Sequence, residues 1–249
     1  MKVAVITGGS SGIGAAIAKA LASRGFRCVL VARGRDRLER VANEIDGEAE
    51  ICDVAERDQV EALAARVRSR HGAIHVLVSG AGTAGRRGFL ELEPEGMEEL
   101  VRVHYLGSVW CTLAFLPLLE AGAPSHVVNI ASMAGAVAYG ASGPYTAAKH
   151  AQLAFSRSLG VELAPLGIHV VSVSPGPVET PGFPQDRLLR RRFGRRFVLE
   201  PEDVAHRVVR AIETGSPEVF VRRAYRAAAI AQALAPTTLA RLIRARARS

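Results

Sequence analysis

Cysteine is scarce in this chain of 249 residues, and its scarcity removes two kinds of architecture at once. Cys28, Cys52 and Cys111 are odd in number and lack metal-ligand spacing, and two of them fall in strand-like runs. Buried reduced thiols are therefore expected, with neither a disulfide framework nor a zinc site. Aromatic residues supply only 5% of the chain and no recognition motif accompanies them, so no nucleic-acid partner is expected. No charged leader with a cleavage pattern precedes the first strand-like run, Lys2-Val3-Ala4-Val5-Ile6, and no apolar run reads as membrane-spanning. The expectation is a soluble, cytoplasmic protein. Linkers, repeats and low-complexity stretches are missing too, apart from arginine-rich patches near the end.

Charge is plentiful but uneven. Residues 181–249 carry 15 Arg against 6 acidic residues, whereas residues 1–180 carry 17 Lys and Arg against 18 acidic ones. The net charge of +8 therefore belongs to the C-terminal quarter and not to the body. Residues 224–249 read as a basic, Ala/Arg-rich helical extension appended to a body of residues 1–223. Its apolar stretch, 227–235, is followed by Thr238-Leu239-Ala240-Arg241-Leu242-Ile243-Arg244-Ala245-Arg246. Such a segment suits docking on the body or on a sister subunit, or a peripheral membrane contact. Docking is favoured, because alanine packs closely against another helix yet offers little apolar area to lipid.

Short β-type runs at 3–7, 27–32, 48–52, 74–79, 125–131, 168–173 and 218–221 alternate with helical periodicity at about 14–24, 35–45, 56–70, 94–121, 145–164 and 201–214. Strands that are apolar on both faces and separated by helices imply a parallel sheet covered on both sides. The expected architecture is α/β, a single doubly wound layer of seven strands.

The first strand ends at Thr7, and Gly8, Gly12 and Gly14 follow before a helix, with Ser10, Ser11 and Ile13 between them. Glycines in that place permit a tight turn and let backbone N–H groups approach a pyrophosphate at the positive end of the helix. The spacing differs from G-x-G-x-x-G, and alone it is equally an ordinary turn. Cofactor choice is read at the end of the second strand, where a carboxylate would take the ribose hydroxyls and a base would take a 2′-phosphate. Val31-Ala32-Arg33-Gly34-Arg35 offers no carboxylate there, so Arg33 favours NADP(H) over NAD(H). Asp36 suits the helix N-terminus better than a ribose. Asp53, with Val54 directly after the third strand, is placed to touch the adenine edge or to cap the next helix.

Ser132 ends the fifth strand, where open α/β sheets place their ligands. Thirteen residues later comes Tyr145, and Lys149 stands four further on. Positions i and i+4 share a helix face, so the ammonium can sit beside the phenol and lower a pKa that is ordinarily near 10. A phenol closer to working pH exchanges its proton more readily.

These residues make the chain resemble the short-chain dehydrogenase/reductase family over nearly all of residues 1–222. Thr7 to Gly14 match the family's Thr-Gly-x-x-x-Gly-x-Gly turn, Ser132, Tyr145 and Lys149 match its Ser and Tyr-x-x-x-Lys set, and Pro175-Gly176 match its Pro-Gly segment after the sixth strand. The resemblance implies a Rossmann-type domain and an oxidoreductase that interconverts a carbonyl and a secondary alcohol with NADP(H), as a homodimer or homotetramer. It makes Tyr145 the general acid or base, Ser132 the group that polarises the substrate oxygen, and Lys149 a holder of the nicotinamide ribose that also depresses the Tyr145 pKa. Val178 and Thr180 would contact the nicotinamide carboxamide.

Two positions depart from the family pattern. Asn-Asn-Ala-Gly after the fourth strand is Ser79-Gly80-Ala81-Gly82 here, which keeps Ala81 and Gly82 beside the cofactor but loses the side-chain amides. The asparagine midway along the fourth helix, which holds a water in a proton relay to the lysine, is His104. Histidine can replace it if a backbone carbonyl at a local helix distortion does the holding; if the amide is required, turnover slows.

The expected substrate walls are apolar: Met133, Ala134, Val137, Ala138 and Tyr139, then Pro177, Phe183, Leu188, Leu189 and Phe193. They suit a lipophilic ketone or alcohol. His104 to Val109 and Thr180 to Phe183 resemble segments of 3-ketosphinganine reductases, with 3-oxoacyl reductases equally compatible. A nucleotide-sensing binding protein that has kept the fold and lost turnover is the alternative, and the intact Ser132, Tyr145 and Lys149 argue against it.

Overall fold

The structure is a computed structural model and describes residues 1–85, 87–138, 142–190, 192, 194–238 and 240–241; Tyr139, Phe193 and the last arginines of the tail lie outside the described residues. Seven strands, β1 (Lys2–Thr7), β2 (Phe26–Ala32), β3 (Glu48–Ile51), β4 (Val76–Ser79), β5 (Ser125–Ile130), β6 (Ile168–Ser174) and β7 (Glu218–Phe220), form one sheet in the order β3-β2-β1-β4-β5-β6-β7. Every pairing is parallel. The order reverses between β1 and β4, which opens a crevice at their C-terminal ends.

Strand alternation sorts the core into two layers. Ala4 and Ile6 of β1, with Cys28 and Leu30 of β2, face α1 (Gly12–Ala22) and α8 (Pro201–Thr214) on one side. Val3, Val5, Val29 and Val31 point the other way, against α3 (Arg57–His71), α5 (Gly107–Ala121) and α6 (Gly143–Leu163). Because both faces are covered, the central strands read as continuous apolar runs. Ile6, Leu77 and Phe115 are fully buried, each worth about 1.5–3 kcal/mol relative to exposure. The three cysteines are free and buried.

The remaining helices are α2 (Arg35–Glu44), α4 (Pro94–Val101), α7 (Asp186–Leu189) and α9 (Arg223–Leu234). Most boundaries fall within two residues of expectation, and the departures have local causes. β4 begins at Val76 because the Ile74 N–H leaves the ladder to donate to the Leu118 carbonyl at the end of α5. The helix expected over 94–121 is continuous but changes gauge: Arg102–Leu106 form a π-helical turn between α4 and α5. Among the described residues this run is the one helix long and apolar enough to cross a membrane, contrary to the reading from composition, and half of its most apolar window is buried inside the fold. α9 lies on the chain's own body. Its Tyr225 packs against the core, and Gln232 Oε1 accepts from the Ala138 N–H at 3.4 Å.

Candidate active site

One cleft of about 920 Å³ lies over the C-terminal ends of the strands, and every residue expected from sequence to bind the cofactor or take part in catalysis lines it. Its floor is the glycine turn. Gly8 has φ +73°, and a Cβ there would fall 2.6 Å from the Gly80 carbonyl oxygen; at Gly14 it would fall 2.3 Å from the Gly8 oxygen. The turn therefore admits no side chain at either position. Thr7 secures it: Oγ1 accepts from the N–H groups of Gly80 and Ala81 at 3.0 and 3.2 Å and donates to the Val78 carbonyl. α1 starts at Gly12, and its N-cap Ser11 makes no side-chain capping bond, so the first-turn N–H groups are left to an anion. A pyrophosphate fits this cradle.

At the far end Arg33 Nη1 stands 3.6 Å from Asp53 Oδ2. Asp53 does not cap α3, whose N-cap is Glu56; its Oδ1 accepts from the Ala55 N–H at 3.0 Å in a local turn. Arg35 pairs with Glu39 at 2.9 Å on the surface of α2, while Arg37, in the first turn of the same helix, lines the cleft. Sequence reasoning passed over Arg37; its distance of four residues from Arg33 was the available signal.

The reacting end gathers β5, α6 and the π turn. Ser132 Oγ accepts from the Ala134 N–H at 3.1 Å, and its hydroxyl lies close enough to the Tyr145 phenol to favour the phenolate. α6 begins two residues before Tyr145, with Pro144 in its first turn, so Tyr145 and Lys149 share one face as expected. Lys149 is buried; Nζ donates to the Ile130 carbonyl and to Gln152 Oε1, both at 2.8 Å, and lies 5.9 Å from the Tyr145 ring centroid.

The expected depression of the Tyr145 pKa by Lys149 is not what this geometry produces. Burial raises the phenol pKa, the nearby Ser132 hydroxyl opposes that rise, and Lys149 contributes nothing resolvable. The ammonium is itself disfavoured: burial takes its pKa down to about 7. In a poorly solvated site both charged forms are penalised, and two of the ammonium's donors are directed elsewhere.

His104 sits in the π turn, 3% exposed. Its Nε2 lies 3.0 Å from the Thr83 carbonyl, Nδ1 is buried without a partner, and the ring meets Tyr145 edge to face. The His104 carbonyl at this distortion is engaged by Ser108 Oγ, which donates to it at 3.2 Å. The replaced amides after β4 leave their mark as well, since Ser79 Oγ is buried without a partner opposite Asn129 of β5.

Of the expected substrate walls, Met133, Ala134, Pro177, Phe183 and Leu188 line the cleft, and Phe183 stacks on Tyr145 with centroids 6.2 Å apart. Val137 and Ala138 do not: Val137 is turned into the core, and Ala138 stands under α9. Leu189 does not line it either; the short helix α7, which no periodicity announced, carries it to the outer side. Gln185, also unforeseen, holds this cap by donating to the carbonyls of Val178 and Phe183 at 3.2 and 2.9 Å. Tyr225 of α9 covers Gly176 so closely that a Cβ on that glycine would fall 2.3 Å from the phenol oxygen.

Residues 2–188 match the model of the short chain dehydrogenase family. The chain is 35% identical over 221 residues, 86% of its length and 92% of the relative's, to an uncharacterized oxidoreductase of Staphylococcus saprophyticus. It is 34% identical over 222 residues, 86% of its length and 84% of the relative's, to a putative ketoacyl reductase of Streptomyces coelicolor. Among solved structures it resembles a variant of the actinorhodin polyketide ketoreductase with NADPH, with a TM-score of 0.80, 32% identity, and coverage of 88% of this chain and 95% of that one. An alcohol dehydrogenase from the archaeon Thermococcus sibiricus complexed with 5-hydroxy-NADP superposes with a TM-score of 0.79 at 30% identity, over 90% and 97% of the two chains.

Proposed function

Since the chain belongs to the short-chain dehydrogenases, oxidoreductases that act between carbonyl and alcohol with NAD(P), we propose that it is an NADPH-dependent reductase of a lipophilic ketone, of the 3-oxoacyl or 3-ketosphinganine type. The observation that carries this reading is that Ser132, Tyr145 and Lys149 converge at the apolar end of the cleft whose other end is the glycine turn and Arg33. An inert nucleotide sensor has no need of a phenol, a serine hydroxyl and a buried lysine gathered in one place.

The residues divide the work by position. The N–H groups of the glycine turn and of α1 would hold the pyrophosphate, and Arg33 with Arg37 would take the 2′-phosphate. Arg33 would then exchange its solvent-screened partner Asp53 for a dianionic one. Lys149 would hold the ribose hydroxyls, and Val178 and Thr180 the carboxamide. A nicotinamide held there would supply a hydride to the carbonyl carbon.

The protein supplies the rest. Ser132 turns its hydroxyl to the substrate oxygen, Tyr145 gives that oxygen its phenolic proton, and the product leaves as the alcohol. Its raised pKa keeps Tyr145 protonated at neutral pH, the state needed for reduction. Met133, Phe183 and Leu188 would exclude water around a single polar centre and select apolar substituents.

The test is a panel of lipophilic ketones and 3-oxoacyl thioesters with NADPH, followed by loss of the reduced-nicotinamide absorbance. NADPH binding with no turnover on any member would overturn the reductase reading in favour of a nucleotide-binding protein.

A further inference from the structure

Behind the cleft runs a polar chain that the proposed reaction does not call for. Lys149 Nζ donates to Gln152 Oε1 at 2.8 Å, Gln152 Nε2 donates to Ser108 Oγ at 2.8 Å, and Ser108 Oγ donates to the His104 carbonyl at 3.2 Å. Thr112 Oγ1 closes the far end on the Ser108 carbonyl at 2.8 Å. Gln152 is 1% exposed, and Lys149 and Ser108 are 4% exposed. A polar amide buried so completely on a helix face that could have been leucine costs stability unless all its partners are present.

While Lys149 carries its charge, the direction of each bond is forced. An ammonium has donors only, so the atom that faces it must be the amide oxygen. That leaves the Gln152 NH₂ for Ser108, whose hydroxyl must accept there and spend its one proton on the His104 carbonyl. Reversing any member sets two donors face to face. Lys149 has three protons, of which Ile130 and Gln152 take two. One remains, on a side chain that lines the cleft.

We propose that Gln152 is a positioning residue for the reduction: it fixes Lys149 so that a single N–H is turned to Tyr145 and the bound cofactor. The inference rests on the reductase reading for its purpose, though not for its test. The same chain ties the π turn to the lysine. Ser108, at the start of α5, bonds the His104 carbonyl and connects it through Gln152 to Lys149 on α6. The titratable groups that face Lys149 are Tyr145 on its own helix and His104 across on the π turn, while β5 presents only the Ile130 carbonyl. Burial has already brought Lys149 down to about 7, so the Gln152 oxygen bears on whether the ammonium persists at neutral pH.

The chain contains three lysines, Lys2, Lys19 and Lys149, so protein labelled with ¹³C at lysine Cε gives a resonance that Lys149→Met identifies. Titration of that resonance needs no turnover. Gln152→Met removes the acceptor and should move Lys149 to lower pH by about one to two units, the size of a hydrogen bond to a charged group. Gln152→Glu should move it to higher pH, and Ser108→Ala, which frees the amide, should move it down by less than Gln152→Met. In active preparations the alkaline limb of kcat should follow each shift, with KM for the ketone little changed. A Lys149 resonance that titrates alike in the wild type and in the variants that fold would overturn the proposal. Turnover lacking in the wild type while these shifts appear would instead sink the reductase reading and leave the positioning role of Gln152 standing.

Discussion

His104 and Tyr145 meet edge to face, with ring centroids 5.1 Å apart and planes at 88°. The imidazole is a wall and not an acid: burial and the neighbouring Lys149 push its pKa down to about 3, with the Thr83 carbonyl opposing only weakly. His104→Phe keeps the ring contact and loses the nitrogens. It should leave both limbs of the pH–rate profile in place between about pH 5 and 9, and should keep kcat within about tenfold, the worth of one aromatic pair. A displaced limb in that profile would show that the ring titrates in the working range.

Acid stability should report the same burial. His104 and His126 titrate at about 3 and about 4 in the folded chain, His126 through burial, His169 and Lys2, against an ordinary 6.5. The unfolded imidazoles take up protons below 6.5 while the folded ones refuse them. Stability is therefore present above 6.5 and is lost as pH falls from there toward about 3. Urea midpoints measured down this range should decline, and His126→Asn should flatten the decline. A midpoint that stays level from pH 6.5 to 4 would contradict it.

Tyr145→Phe removes the proton and little else, so turnover should vanish while NADPH affinity stays within a few fold. Ser132→Ala removes one donor to the developing oxyanion and should lower kcat by about 10² to 10³. Single-turnover rates with saturating NADPH separate these effects from binding. Near-normal turnover in Tyr145→Phe would remove the phenol from the mechanism.

Arg33→Ala should weaken NADPH about tenfold to a hundredfold, given about 1.5–3 kcal/mol for a charge-assisted contact, and leave NADH nearly unchanged. Arg37→Ala should act in the same sense. Calorimetric titration of both cofactors decides, and equal losses for NADPH and NADH would make Arg33 structural.

Gly176 and Tyr225 should be coupled. Gly176→Ala places a methyl where the Tyr225 phenol lies, so it should weaken NADPH binding, and Tyr225→Ala in the same chain should restore part of that loss. Tyr225→Phe alone should be mild, because the hydroxyl has no partner. Additive effects in the double variant would mean that the contact carries no coupling.

The sheet and the cleft floor were legible because they depend on patterns confined to one segment at a time: two-sided apolar strands, glycines at a strand end, Tyr145 and Lys149 on one helix face. What escaped depends on relations between segments. Gln152 looks in sequence like any polar helix residue, and its role appears only once α5 and α6 pack and put Ser108 beside it. Arg37 was hidden behind the nearer Arg33 and Arg35. The π turn has no signature of its own, since a helical period runs through 94–121 with or without one inserted residue. Burial misled the reading of Tyr145, because an adjacent cation was counted and the desolvation shared by both groups was not.

The packing of Tyr225 over Gly176 also sets an order in time. Along the direction of synthesis the cleft is begun at Gly8 and finished at α9. A ribosome that has released β6 has already made every group assigned to the proton or the phosphate, yet the Pro175-Gly176 segment still lacks the ring that covers it. The α9 ring that covers Gly176 is the last of these contacts to arrive. A C-terminal fusion, or a cut between β7 and α9, would therefore reach the cofactor without altering one residue that does chemistry.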